Sequence, residues 1–401
     1  MKILHTSDWH LGAMLGQFKR TDEFKALLNW LLQVLDEHKV EALIIAGDVF
    51  HSGLPPNSAA ELYYRFLTDA RKTGVRTIIV VAGNHDSASF IEAPKSILNA
   101  LDCKVVGRVD PDHYDEQIIP LSNPAGKIEA VVCAVPYLRD RYIRIAVSGE
   151  NAEQQQDSRR SGILRYYQNI CRRAGELYPG IPLIATGHFY ATGGTDSGGN
   201  VIGTLSGIAA SELPQEIDYL AMGHLHIPQC IAGKPNFRYS GSLLQLNFSD
   251  SDEKKTVLLL DTDHLDDAPQ EIPVPVFQKM EKITGGIEEI KARIGELKKE
   301  DQSIWLCIEN TGDFEPQLQQ ILDSCCAGSR LKLLSCHNRK ANPVLRQRDH
   351  LGGKKLNELT PAMVFQSLLD ESGIVPERKT ALLAAFREAE KDLAESDGNA
   401  G

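Results

Sequence analysis

The chain has 401 residues, 42% hydrophobic and 24% charged, an ordinary globular composition with length for two or three domains. Its 54 acidic residues outnumber its 43 basic ones and leave a net charge of −11. That balance excludes a global basic field for nucleic acid, so a DNA substrate would need a local patch, bound metal or a partner.

The N-terminus, "MKILHTSDWH", enters a strand at once without a charged-then-apolar leader. No run reaches the roughly 18 apolar residues of a membrane span, so no membrane contact and a cytoplasmic location are expected. The eight cysteines are scattered with no CxxC pair, which predicts reduced, mostly buried thiols and not a zinc site.

Apolar runs "KILHT", "ALIIA" and "RTIIVVA" are separated by two helix-sized segments, the alternation of βαβ units. The first helix is predicted with Thr21 as its cap and with Phe24, Leu27, Leu28, Leu31 and Leu35 on one face. The second is predicted over 57–72. Further strands are expected at 130–136, 182–188, 218–224, 237–242 and 255–261, with a long helix over 158–177. The acidic, proline-bearing stretch "DTDHLDDAPQEIPVPVF" then breaks the pattern, and a domain boundary is expected near residue 270. Beyond it, helix 286–299, strand "SIWLCIEN", helix 315–326 and strand "RLKLLSC" predict a small α/β unit over 271–340. A basic, aperiodic segment follows, and two helices close the chain over 341–401, the first with Thr360 as cap and Pro361 at its first turn.

Five apolar runs end in residues that bind metals. "HTSDWH" offers Asp8 and His10, "AGDVFH" Asp48 and His51, "AGNHDS" Asn84, His85 and Asp86, "ATGHF" His188, and "MGHLH" His224 and His226. Open sheets gather functional groups beyond the carboxyl ends of their strands, so these residues can converge on one site. Gly47, Gly83, Gly187 and Gly223 are expected to let the backbone turn sharply at each edge. His224 and His226, two apart on an extended segment, would point the same way and could divide between two ions.

Imidazoles with carboxylate and amide oxygens, and no thiolate, suit borderline to hard divalent ions such as manganese or iron. Two ions bridged by a carboxylate activate water for in-line attack on phosphorus. In "GNHD", Asn84 reads as a neutral ligand, His85 as free for acid catalysis, and Asp86 as able to orient His85 through a hydrogen bond.

The ordered motifs "DxH", "GD", "GNHD", "GH" and "GHxH" resemble those of the calcineurin-like metallophosphoesterase superfamily over about residues 1–230. The resemblance implies a four-layer α/β/β/α sandwich with a small α/β capping domain and a C-terminal helical tail. It implies that Asp8, His10, Asp48 and His226 hold one metal, and Asp48, Asn84, His188 and His224 the other, most suitably Mn2+. His85 would protonate the leaving oxygen, and His51, a histidine in DNA nucleases of this superfamily, would contact substrate or leaving group. Those nucleases act as 3′ to 5′ exonucleases on duplex ends and endonucleases on single strands and hairpins, in DNA recombination, repair and replication. No GxxxxGK[ST] occurs, so ATP dependence would come from an ABC-type ATPase partner docked on the tail, with a homodimer inside a heterotetramer. The alternative is a phosphatase or phosphodiesterase of the same superfamily acting on phosphoprotein or nucleotide.

Two basic segments stay open between function and plain surface. Residues 137–175 interleave eight arginines with Tyr137, Tyr142, Tyr166 and Tyr167, a mixture suited to phosphate contact and base stacking and equally to a solvated helix face. Residues 328–357 are basic in the same ambiguous way. The glycine-rich "YATGGTDSGGN" reads as either a mobile loop over the site or an ordinary connection.

Overall fold

The computed structural model describes residues 1–144, 149–196, 207–248 and 254–341, together with 365, 369, 379, 382, 383 and 386. The chain divides into two compact units, Met1–Glu281 and Lys282–Gly401.

The first unit opens with β1 (Lys2–Thr6), a short hairpin of β2 (Met14–Leu15) and β3 (Phe18–Lys19), and α1 (Thr21–Glu37). It continues through β4 (Ala42–Ala46), α2 (Asn57–Lys72), β5 (Thr77–Val81), α3 (Ala88–Glu92), α4 (Lys95–Ala100) and β6 (Cys103–Val106). Then come β7 (Ile118–Ser122), β8 (Ile128–Cys133), α5 (Asp140–Ile143), α6 (Ala152–Leu177), β9 (Leu183–His188) and β10 (Tyr219–Gly223). It ends with β11 (Gln229–Ile231), β12 (Lys234–Tyr239), β13 (Thr256–Asp261) and β14 (Gln270–Pro273).

These strands form two six-stranded sheets, ordered β14-β13-β1-β4-β5-β6 and β11-β12-β10-β9-β8-β7. In the first, β1, β4, β5 and β6 run parallel. In the second, β8, β9, β10 and β12 do the same. The central strands are buried along nearly their whole length, as expected of parallel strands covered on both faces. Ile3, Ile44 and Ile79 of one sheet share a core with Val132, Ile184 and Tyr219 of the other. The opposite faces bury α1 and α2 through Leu27, Leu31 and Phe66, and α6 through Ile163, Tyr167 and Ile170.

Three local expectations need correction. Thr21 does not cap α1; Arg20 takes that position, and its guanidinium reaches Glu23 and the carbonyl of Gln245. The helix expected from 158 begins six residues earlier, at a capping box of Asn151 and Gln154, because "AEQQQD" offers no apolar period to betray it. The boundary expected near 270 lies at Glu281, because Gln270–Pro273 pairs with β13 as an edge strand of the first sheet. A mostly exposed edge strand carries little hydrophobic signal.

The second unit contains β15 (Lys279–Gly285, which begins just before the boundary), α7 (Ile287–Leu297), β16 (Ile304–Asn310), α8 (Leu318–Cys326) and β17 (Leu331–Asn338). The strands form one sheet in the order β15-β16-β17, and Ile283, Ile290, Ile294, Leu306 and Leu322 make its core. The closing helices and most of the basic linker lie outside the described residues. Of their anchors, Phe365 and Phe386 stack with ring centroids 4.3 Å apart. Among the described residues, no helix is long and apolar enough to cross a membrane.

Candidate metal centre

The parallel strands of both sheets deliver their carboxyl ends to one place. Asp8 and His10 follow β1, Asp48 follows β4, Asn84 follows β5, His188 ends β9, and His224 and His226 follow β10. Asp8, His10, Asp48 and His224 hold φ values of 52°, 47°, 51° and 98°, in the left-handed region that side chains rarely adopt. Such backbone persists only where its surroundings impose it. Here Asp8 N–H donates to the Gly47 carbonyl and His10 N–H to the Asp48 carbonyl, both at 3.0 Å, tying the first two turns together.

Of the four glycines expected to turn the chain, only Gly47 has a left-handed φ, +94°. Gly83 and Gly223 serve close approach instead. A Cβ at Gly83 would overlap the Asp48 carboxylate, and one at Gly223 the Ala46 carbonyl. Gly187 is hemmed in by Met222 and Tyr167.

Three groups of potential ligands converge among the described residues: His10, His51 and His85 form one on the rim, and the other two lie deeper. Asp8, His10 and His226 offer atoms within 4.8 Å of one another, and so do Asp48, His188 and His224. His10 Nε2 lies 3.2 Å from His226 Nε2 and 3.7 Å from Asp48 Oδ2. His188 Nε2 lies 3.2 Å from Asp48 Oδ2, so Asp48 stands between the groups. The Asn84 side-chain oxygen completes the second, 3.0 Å from His188 Nε2 and 2.9 Å from His224 Nδ1. His226 falls in the first of the deeper groups and His224 in the second, and a left-handed φ at His224 replaces the expected extended segment.

The donor set fits cations. His188 Nδ1 lies 3.0 Å from the Ala46 carbonyl, which can only accept, so Nδ1 donates and Nε2 is the atom turned to the centre. That Nε2 meets a carboxylate and an amide oxygen, while His10 and His226 turn two basic nitrogens toward each other. So many convergent lone pairs have too few protons among them and are satisfied by divalent ions.

Electrostatics point the same way. Burial, reinforced by nearby Asp48, pushes Asp8 up to about 7. Asp48 is also opposed by burial, but the charge and hydrogen bond of His188 win and hold it below the usual carboxylate range. Burial works against a charged His188 as well, and Asp48 overrides it, lifting the imidazole to about 9. Burial, then the charge of His188, lowers His224 to about 3. Positive charge is wanted beside Asp48, which is where an ion would lie.

His51 and His85 form the open side of the centre. Their rings stack with centroids 5.7 Å apart, above the buried His10. His85 Nδ1 lies 3.0 Å from the His51 carbonyl, so Nδ1 donates and Nε2 is the ring's other nitrogen, on a side chain exposed to solvent. Asp86 does not orient this ring. Its carboxylate accepts the N–H groups of Gly83, Val49 and Phe50 at 2.8, 3.1 and 2.9 Å, holding the loops after β5 and β4 together. In a tight turn adjacent side chains leave on different sides of the backbone, and Asp86 takes the buried side while His85 takes the open one. His5 is structural: buried, it meets the Tyr219 hydroxyl at 3.1 Å.

Sequence reasoning missed three supports. Ser7 donates to Asp8 at 2.5 Å and meets Ser240 at 2.8 Å. Lys255 donates to the His226 carbonyl. Arg139 donates to the Asp86 carbonyl at 3.0 Å. Ser7 and Lys255 leave only the trace of a polar residue beside a strand, and Arg139 belongs to the arginine-rich segment whose role the sequence left open. The arginine-rich segment is mostly spent within the molecule, with Arg144 on Glu150, Arg160 on Glu212 and Arg173 on Asp115. Arg139 and Arg159 stand beside Tyr137, whose ring lies 6.2 Å from that of His188.

Residues 1–228 match the family model described as calcineurin-like phosphoesterase, in agreement with two packed sheets whose strand ends carry the site. Residues 276–372 match a model described as type 5 capsule protein repressor C-terminal domain. The chain is 33% identical over 387 residues to the SbcD subunit of nuclease SbcCD from Escherichia coli (strain K12), covering 93% of this chain and 94% of that one. It is 33% identical to the SbcD subunit of Rhodobacter capsulatus, over 75% of this chain and 77% of that one. With the SbcD subunit of Bacillus subtilis the figures are 30%, 77% and 78%. The chain therefore belongs to the calcineurin-like phosphoesterases. Within them it is a member of the SbcD family of nuclease subunits. Among solved structures, the crystal structure of AHE enzyme from Alicyclobacillus herbarius aligns at 10% identity over 84% of this chain and 87% of that one, with a TM-score of 0.23.

Proposed function

We propose that this chain is the DNA-cleaving subunit of an SbcCD-type complex, a phosphodiesterase that works with two divalent ions, preferably Mn2+. Asp8, His10, Asp48 and His226 would hold one ion, and Asp48, Asn84, His188 and His224 the other. The observation that carries this reading is the meeting of the two ligand groups at Asp48, with two exposed histidines above them. When bound, the ions supply Lewis-acid activation of water and neutralise charge that develops on the phosphoryl oxygens.

The protein's own residues do the rest. Asp48 is pinned by the His85 N–H on its Oδ1 at 2.8 Å, which leaves Oδ2 to face His10 and His188. His85 presents Nε2 to solvent and delivers its proton to the departing ester oxygen. His51 shapes the same rim and holds His85 through its carbonyl. Asp86 and Arg139 keep the turn beneath them rigid.

The substrate and partner follow the names of the relatives: DNA, and an SbcC-like ATPase subunit. The specific activities proposed are 3′ to 5′ exonuclease on duplex ends, made ATP-dependent by that partner, and endonuclease on single strands and hairpins. The assembly proposed is a homodimer within a cytoplasmic heterotetramer. The test is cleavage of end-labelled hairpin and linear duplex with Mn2+, with and without the ATPase partner and ATP. Single-strand and hairpin cleavage by this chain alone, with duplex attack only in the complex, is the expected result. Hydrolysis of phosphoprotein or mononucleotide esters with no cleavage of any DNA would replace this reading by a phosphatase.

A further inference from the structure

Directly after β12 the chain reads Ser240, Gly241, Ser242, and each of the three bears on the group of Asp8, His10 and His226. Ser242 N–H donates to the His226 carbonyl at 3.1 Å. Gly241 holds a φ of +78°, and a Cβ there would stand 2.8 Å from that carbonyl oxygen and 2.7 Å from the Pro228 ring, so a side chain would push the segment off its ligand. Ser240 reaches Asp8 through a second hydroxyl. Its Oγ lies 2.8 Å from Ser7 Oγ, and Ser7 donates to Asp8 Oδ2 at 2.5 Å.

The protons of this chain have one direction. A ligating carboxylate can only accept, so the Ser7 hydrogen is used on Asp8 and the Ser7 oxygen accepts from Ser240. The Gly241 carbonyl, 3.5 Å from the Ser240 hydroxyl, is too far to compete for that hydrogen. Ser7, Asp8 and Ser240 are all fully buried, where linked hydrogen bonds polarise and strengthen one another. The other donor to Asp8 is the His224 N–H, 3.0 Å from Oδ1 and 3.1 Å from Oδ2. A donor nearly equidistant from both oxygens fixes where the carboxylate sits but lets it turn, whereas Ser7, bonded to one oxygen, sets its rotation.

We infer that Ser240 is a positioning residue for the first ion alone: through Ser7 it sets the rotation of the Asp8 carboxylate. The inference rests on the two-ion assignment proposed above and divides one short segment between two ligands, Ser240 serving Asp8 and Ser242 serving His226. Among the described residues, Ser240, Gly241 and Ser242 make no hydrogen bond to Asn84, His188 or His224, whose partners lie elsewhere.

The experiment is calorimetric titration of the metal-free protein with Mn2+ for the wild type, Ser240→Ala, Ser7→Ala and the double variant, with denaturant unfolding of each metal-free protein alongside. Ser240→Ala should weaken one Mn2+ site about fivefold, the worth of one net hydrogen bond, and leave the other unchanged. The weakened site should be the one that His226→Ala removes and not the one that Asn84→Ala removes. Ser7→Ala should weaken the same site by about 10-fold or more. Adding Ser240→Ala to it should cost nothing further, because the far link of a broken chain no longer reaches the ligand. Equal weakening of both sites, additive losses in the double variant, or a lower denaturant midpoint with unchanged Mn2+ affinity would overturn the inference and leave the two-ion reading standing. A wild type that takes up no Mn2+ would overturn the two-ion reading itself.

Discussion

Lys255 donates its ammonium hydrogen to the backbone carbonyl of His226 at 3.0 Å, joining the start of the strand β13 to a candidate ligand 29 residues earlier. The same carbonyl accepts the Ser242 N–H at 3.1 Å, so the loop after β10 is held from two sides. Lys255 is buried. Lys255→Met keeps the stem and removes the donor. Metal affinity at the Asp8, His10 and His226 group should fall by about 10-fold or more, the usual effect of losing a residue that orients a ligand. Calorimetric titration with Mn2+ checks it: two weakened sites, or none, would count against a local role.

Asp48→Ala should weaken both metal sites together, because Asp48 Oδ2 faces His10 of one group and His188 of the other. Stoichiometry by metal analysis after gel filtration is the readout. Loss of a single ion would remove Asp48 from the bridging position.

His85→Ala should lower DNA cleavage by about 10²- to 10⁴-fold, the span of general acid catalysis, while both metals remain. The ring bonds to the His51 carbonyl and not to a proposed ligand, so its removal leaves the two ligand groups intact. A fall in bound metal would instead make His85 a ligand.

Chelation should abolish activity, and Mn2+ should restore it better than Mg2+, because imidazole-rich sites favour later first-row ions over a strictly oxygen-seeking one. Equal rates in the two metals at saturation and equal affinities would contradict the assigned ligands.

His5 gives a pH prediction that involves no metal. Burial lowers its pKa from 6.5 to about 3, so the folded protein keeps it neutral while the unfolded chain binds a proton below 6.5. Its effect on stability is therefore absent above 6.5 and grows unfavourable as pH falls from 6.5 toward 3, by up to ~1.4 kcal/mol for each pH unit. Denaturant unfolding at pH 7.5, 6.0 and 5.0 should show His5→Phe losing less stability in acid than the wild type, the slopes differing by nearly one proton. Parallel slopes would mean that His5 takes up its proton in the fold.

The parts of this molecule with strong periodicity were legible in the sequence. Leu27, Leu28 and Leu31 mark α1, and "ALIIA" and "TIIVV" mark buried strands, because burial on a fixed face leaves a repeating apolar pattern. Ligand types at five strand ends were legible too, since a core has little use for adjacent titratable groups. The direction of Asp86 was not, because spacing alone cannot say on which side of a turn a carboxylate leaves. Gly83 and Gly223 were recognised as necessary for the wrong reason: a need for close approach and a need for left-handed backbone look alike in one sequence. Lys255 carries no motif, and its position depends on contacts made far along the chain.

The distance between candidate ligands along the chain has a consequence for how the protein is made. His10 and His226 face each other across 216 residues, and each belongs to a different sheet. Neither half of the centre can exist in a nascent chain that has made only β1, β4, β5 and β6, so any metal capture must come late and must wait for both sheets to dock. Contacts of such long sequence separation are the slow ones in folding. Ions held at these residues would act as a clasp that closes on a finished assembly, and their arrival would be a natural clock for the last step of its folding.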